Sequence, residues 1–63
     1  MKVYKTILYL DDVSSWVTYT GESLEEAKKH IVIGYDGTIL EYQNTEEFRK
    51  EKKYKVVLGE YRG

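Results

Sequence analysis

Hydrophobic and polar positions alternate along much of the chain, and this alternation predicts strands. Residues 3–10 are rich in β-branched and aromatic side chains and are followed by Asp11-Asp12. Residues 13–20 alternate with period two and are followed by Gly21. We expect these two segments to form an antiparallel hairpin that turns near the Asp pair.

A short helix is predicted after Gly21. Ser23 can accept a hydrogen bond from a first-turn N–H, and Glu26, three residues later, can reach back to Ser23 in a capping box. One narrow apolar stripe follows from Leu24, Ala27 and Ile31. A helix of about two turns needs packing against a sheet to be stable.

Asp36-Gly37 is the strongest hairpin signal in the chain, because a type I′ turn requires positive φ at both central positions. It predicts a second hairpin over residues 31–42. On its core face this hairpin would pair Tyr35 with Thr38, Ile33 with Leu40, and Ile31 with Tyr42.

The remaining chain predicts one more strand and one ambiguous segment. Asn44 or Thr45 can cap a second helix, but Phe48 is its one apolar anchor, so residues 45–53 form either a lightly docked turn or a polar loop. Residues 54–61 predict a closing strand. The order ββαββ(α)β favours a single small α+β domain over residues 1–63, with a largely antiparallel sheet and one short helix packed on one face.

The composition excludes several classes of site and indicates the compartment. The chain has 63 residues, no Cys and no Pro, and its 10 basic and 11 acidic side chains give a net charge of −1. Without Cys there is no disulfide and no thiolate ligand, which favours a reducing compartment. No apolar run is long enough for a membrane span, so we expect a cytoplasmic protein without membrane contact.

The sequence does not predict an enzyme. His30 is the only imidazole and follows two lysines at a helix end, which indicates a surface residue rather than a metal ligand. Ser14 and Ser15 lie in no nucleophile motif, and neighbours such as Asp11-Asp12 on a strand would point to opposite faces. We therefore expect no catalytic residue, no metal, no cofactor and no small-molecule substrate.

The first hairpin predicts a partner-binding surface. An even-length turn would place a core set on one face: Tyr4, Leu8, Leu10, Val13, Val17 and Tyr19. The other face would expose Val3, Ile7, Tyr9 and Trp16, an apolar patch of the kind that marks interaction sites. The leading hypothesis is a non-enzymatic module that binds a protein partner, most simply a second copy in a homodimer. Two alternatives would remove this patch: an odd-length turn would swap the two faces, or another segment of the chain would cover the patch. A free sheet edge such as residues 54–61 could instead bind a partner by pairing with one of its strands.

A basic and aromatic segment supplies a second hypothesis. Cations beside an aromatic ring can hold single-stranded nucleic acid. The residues concerned are Lys50, Lys52, Lys53, Tyr54 and Lys55. Glu46, Glu47 and Glu51 lie in or beside this run and weaken its positive potential.

In general style the chain resembles the small accessory proteins of bacteriophages, which are short, free of Cys, rich in Lys, Glu and Tyr, and without catalytic residues. That resemblance implies a protein that binds and modulates a host protein.

Overall fold

The computed structural model describes residues 1–32 and 34–62, and of residues 58–62 it describes the backbone. Within these residues the chain forms an antiparallel sheet of four strands and two short helices. The elements are β1 (Val3–Tyr9), β2 (Ser15–Gly21), α1 (Leu24–Lys29), β3 (Asp36–Tyr42), α2 (Thr45–Lys50) and β4 (Tyr54–Arg62). The predicted α+β class with an antiparallel sheet is confirmed.

The strand order β2-β1-β3-β4 places β1 and β3 at the centre of the sheet and leaves β2 and β4 at its edges. β1 pairs with β2 on one side and with β3 on the other, and both pairings are antiparallel. The segment that contains α1 connects β2 to β3, which lie on either side of β1, so it passes over β1. This crossing positions α1 over one face of the sheet.

The core lies between α1 and the sheet. Ala27 of α1 is fully buried and packs with Ile39 and Tyr4, and Leu24 and Ile31 complete the predicted stripe at its margin. The Ser23 hydroxyl accepts the N–H of Glu26 at 3.1 Å, which confirms the predicted cap. The N–H of Ser23 donates to the Tyr19 hydroxyl of β2 at 3.2 Å. In the predicted capping box this N–H would have donated to the Glu26 side chain instead.

The second helix forms on the opposite face, where the prediction placed none. Asn44 caps it by accepting the N–H of Glu47 at 2.8 Å, so the first six residues of the ambiguous segment 45–53 are helical and the last three form a turn. The Phe48 ring lies edge-on to Tyr42 at 5.2 Å, and Tyr42 is only 1% exposed. Because Val3 and Tyr54 are the strand partners of Tyr42, α2 covers that end of this face.

The predicted hairpin at Asp36-Gly37 is wrong. Asp36 begins β3 and pairs with Tyr9 on one side and with Arg62 on the other. The turn lies earlier, where Tyr35 bonds back to Val32 and Gly34 has φ 94°. Gly37 is packed closely, since a Cβ there would lie 3.1 Å from the carbonyl oxygen of Ile7 and 2.8 Å from Cδ1 of Ile31, the end of a side chain that can move aside. Ile33, which the prediction paired with Leu40, lies outside the described residues.

The first hairpin forms, but its turn has an odd length. Residues 10–14 form the loop, because Tyr9 pairs with Ser15. Asp11 Oδ1 accepts the N–H groups of Val13 and Ser14, both at 2.8 Å, and these bonds lower the pKa of Asp11. A bulge between Thr6 and Ile7 then shifts the register, which makes Thr18 the extra residue of β2. Beyond the bulge, even-numbered residues of one strand pair with odd-numbered residues of the other, as predicted. Between the bulge and the loop, even pairs with even and odd with odd, so the predicted register is wrong there.

Candidate functional site

The four residues predicted to bind a partner do not lie on one surface. Trp16 pairs with Leu8, whereas Ile7 pairs with Val17 and Tyr9 with Ser15. Because neighbouring residues of a strand point to opposite faces, Trp16 lies on the α1 face and Ile7 and Tyr9 lie on the α2 face. Val3 is buried at the end that α2 covers. The predicted grouping is wrong because it assumed an even-length turn.

An apolar area that the sequence analysis did not group lies on the α2 face, beyond α2 itself. Its residues come from all four strands and are here called the open face: Ile7, Tyr9, Val17, Leu40 and Val56. Val17 was predicted to lie in the core but is 56% exposed, and Val56 and Tyr9 are exposed too. Adjacent apolar residues at 39–40 and 56–57 were the available signal, since such runs indicate strands with two apolar faces.

Trp16 makes the other face of β2 apolar as well. Its side chain is 65% exposed, while Leu8 opposite it is buried. With Val17 exposed on the opposite face, β2 presents large apolar side chains on both sides of the sheet beside the loop. β4, the other edge strand, also has exposed large apolar side chains, Tyr54 and Val56.

The two edge strands differ in charge. β2 contains no charged residue in seven positions, whereas β4 contains Lys55, Glu60 and Arg62. Charged side chains on an edge strand hinder the addition of another strand, and an uncharged edge rich in β-branched and aromatic residues permits it. The free side of β2 therefore has no charged side chain that would hinder pairing with another strand.

The basic segment does not form one continuous surface. Lys50 belongs to α2 and its Nζ lies 3.0 Å from Oε1 of Glu46. Lys52 and Lys53 are exposed in the turn before β4. Tyr54 is exposed and pairs with Tyr42, whereas Lys55 pairs with Glu41, so these two neighbours point to opposite faces.

One partly buried polar cluster lies on the α1 face. The Tyr4 hydroxyl donates to Oε2 of Glu41 at 2.9 Å, and Lys2 Nζ lies 3.5 Å from Oε1 of the same carboxylate. The hydrogen bond to Glu41 raises the pKa of Tyr4 above its ordinary value, and burial and the negative charge of Glu41 add to the rise. Each member of this cluster is held by a partner within the chain, which is typical of a structural arrangement.

The remaining polar groups show no grouping suited to metal binding. Among the residues that the structure describes, no three His, Cys, Asp or Glu side chains come together in a way that would hold a metal ion. His30 lies at the end of α1, where its ring stacks on Tyr19 at 5.1 Å and Nδ1 lies 2.8 Å from the Glu26 carbonyl oxygen. The described part of the chain also has no helix with the length and apolar character needed to cross a membrane.

Comparison of the chain with protein-family models, with curated proteins and with solved structures gave no match.

Proposed function

We propose that this protein is a non-enzymatic interaction module that acts by protein–protein contact and associates with a second copy of itself along β2. The observation that carries the proposal is the pair of neighbouring side chains Trp16 and Val17, 65% and 56% exposed on opposite faces of an uncharged edge strand. Trp is enriched at the energetic centres of protein interfaces, because it buries a large area with few rotatable bonds. The lack of Cys supports a cytoplasmic setting for this contact.

The size of the chain supports self-association. A domain of 63 residues buries a smaller fraction of its surface than a larger domain does, so its stability is limited. Association of two folded copies stabilises the folded state by mass action. The net charge of −1 leaves little repulsion between copies.

Side-chain burial alone makes such a dimer weak. Burial of a half-exposed large apolar side chain contributes roughly 1 kcal/mol, so Trp16 and Val17 in two copies contribute about 4 kcal/mol. The loss of translational and rotational freedom on association costs about 4–15 kcal/mol. Backbone hydrogen bonds across the interface would add to the side-chain contribution.

The test is sedimentation equilibrium of three chains over a wide concentration range: the unmodified chain, Trp16→Ala and Tyr35→Ala. Tyr35 is the matched control, because it is an exposed aromatic residue outside β2 and outside the open face. We expect a dimer for the unmodified chain and for Tyr35→Ala, and a folded monomer for Trp16→Ala. A monomeric unmodified chain at millimolar concentration, or an unfolded Trp16→Ala variant, would contradict the proposal.

A second candidate function is nucleic-acid binding by Lys50, Lys52, Lys53, Tyr54 and Lys55. It is favoured by the exposure of the Tyr54 ring beside exposed lysines. Against it, Glu46 pairs with Lys50, and Lys55 points to the face opposite Tyr54. Electrostatic binding weakens steeply with salt, so absence of binding to single- and double-stranded probes at low salt would exclude this candidate.

A further inference from the structure

The free side of β2 defines the geometry of the proposed contact. An edge strand presents unpaired backbone N–H and C=O groups, and natural edges are commonly protected by charge, Pro or a bulge. β2 has no charge and no Pro, and its bulge at Thr18 divides it into two parts. The part next to the loop, residues 15–17, is exposed throughout.

The part beyond the bulge is tied to its own chain. The Thr18 hydroxyl donates to the His30 carbonyl at 3.1 Å, and the Tyr19 hydroxyl accepts the N–H of Ser23 at 3.2 Å. These bonds hold the side chains of that part against α1. Residues 15–17 are thus the part of β2 that is suited to pairing with another strand.

The β2 strand of a second copy can pair with this edge, because β2 has no charges that would repel each other and because a two-fold contact closes after two copies. Antiparallel pairing of a strand with itself places like residues across from each other near the two-fold axis, and like charges there are destabilising. β2 has no charged residue and therefore avoids this penalty. A symmetric contact through β2 uses one edge of each copy, so the assembly closes at two.

We propose that residues 15–17 of β2 pair antiparallel with the same residues of a second copy, with Trp16 at the two-fold axis, and so join two sheets into one of eight strands. This proposal rests on the self-association proposed above and adds its register. Ser15 of one copy would lie opposite Val17 of the other, on the side of the open face. The two Trp16 rings would meet on the α1 side.

The absence of Cys makes this register testable by cross-linking. In the proposed register, Ser15→Cys in one chain lies opposite Val17→Cys in another at about 4.5–5.5 Å between Cα atoms. A disulfide requires roughly 4.4–6.8 Å between Cα atoms. Two Ser15→Cys chains would be about 8 Å apart, since they lie two residues out of register.

Oxidation of a one-to-one mixture of Ser15→Cys and Val17→Cys chains should give a covalent dimer in much higher yield than either variant alone. The matched control is a mixture of Tyr54→Cys and Val56→Cys chains, which places the same spacing on the β4 edge and should give little dimer. If the reduced variants dimerise in sedimentation but the first mixture does not cross-link, the register is wrong while self-association stands. If the unmodified chain is monomeric, both proposals fail.

Hydrogen exchange of the unmodified chain provides a measurement that needs no substitution. We expect the amides of residues 15–17 to exchange several-fold more slowly above the concentration at which the dimer forms, because some of them gain a backbone partner. The amides of β4 serve as the internal reference and should keep their rates. Dimerisation without slower exchange in residues 15–17 would overturn the proposed pairing.

Discussion

The hydroxyl of Thr6 donates a hydrogen bond of 2.8 Å to the carbonyl of Ala27, and both residues are fully buried. Thr6 lies on the central strand β1 and Ala27 in α1, so this bond joins the helix to the sheet inside the core. The Ala27 carbonyl also accepts the N–H of His30 at 3.2 Å. The bond from Thr6 gives the buried hydroxyl its partner and so stabilises the position of α1.

Thr6→Val should lower the free energy of unfolding by about 1 kcal/mol, because valine keeps the shape of threonine and removes the donor, while the Ala27 carbonyl keeps the His30 N–H. Thr20→Val, at an exposed position of β2, is the control and should change stability by less than about 0.5 kcal/mol. Urea denaturation of both variants measures the difference. Equal midpoints for the two variants would show that the bond contributes nothing.

The parts of the fold that depend on neighbours in the sequence were predictable. Ser23 and Glu26 are three residues apart, and Asn44 and Glu47 have the same spacing, so both helix caps follow from local residue types. The stripe of Leu24, Ala27 and Ile31 likewise marks the face of α1 that is buried.

The parts that depend on distant residues were not predictable from the sequence. Asp36-Gly37 has the local character of a turn, but pairing with β1 and β4 draws both residues into the sheet. The position of Trp16 depends on the odd number of residues in the loop and on the bulge at Thr18. A change of one residue in either feature would move Trp16 to the opposite face.

Tyr4 should make stability depend on pH in the alkaline range. Its pKa is raised in the folded state by the hydrogen bond to Glu41, above the value of about 10 expected when unfolded. The stabilisation is therefore complete below pH 10 and is lost as the pH rises through the folded-state pKa.

Tyr4→Phe should be less stable than the unmodified chain at pH 7, with a difference that shrinks above pH 10. Tyr35→Phe, at an exposed site, should follow the unmodified chain at every pH. Urea denaturation from pH 7 to 11 gives both curves. A difference that stays constant over this range would contradict the role assigned to the Tyr4–Glu41 bond.

Lys53→Gly should stabilise the fold. Lys53 has φ 56° in the turn that leads into β4, a left-handed conformation that favours glycine. Relief of this strain is offset in part by the greater freedom of glycine when unfolded, so we expect a gain of up to about 1 kcal/mol. Lys52→Gly is the control for loss of a neighbouring positive charge and should not stabilise. Thermal unfolding measures both variants, and an unchanged or lower midpoint for Lys53→Gly would contradict the expectation.

The attachment of α2 should depend on Lys5. Its side chain is 13% exposed, its Nζ lies 3.2 Å from Oε1 of Glu51, and the same atom lies 5.7 Å from the ring centroids of Tyr42 and Phe48. The charge of Lys5 thus contacts both the end of α2 and the rings beneath it. Lys5→Met keeps the apolar stem and removes these interactions, so hydrogen exchange should become faster in α2 and stay unchanged in β1.

A double-mutant cycle with Glu51→Gln separates the ion pair from the ring contacts. Glu51 is 71% exposed, so its coupling to Lys5 should be less than about 1 kcal/mol. Lys5→Met should therefore cost more than Glu51→Gln, since the ring contacts of Lys5 are lost only in the first variant. Equal losses for the two single variants would mean that the rings contribute nothing, and that α2 is held to the sheet by Phe48 alone.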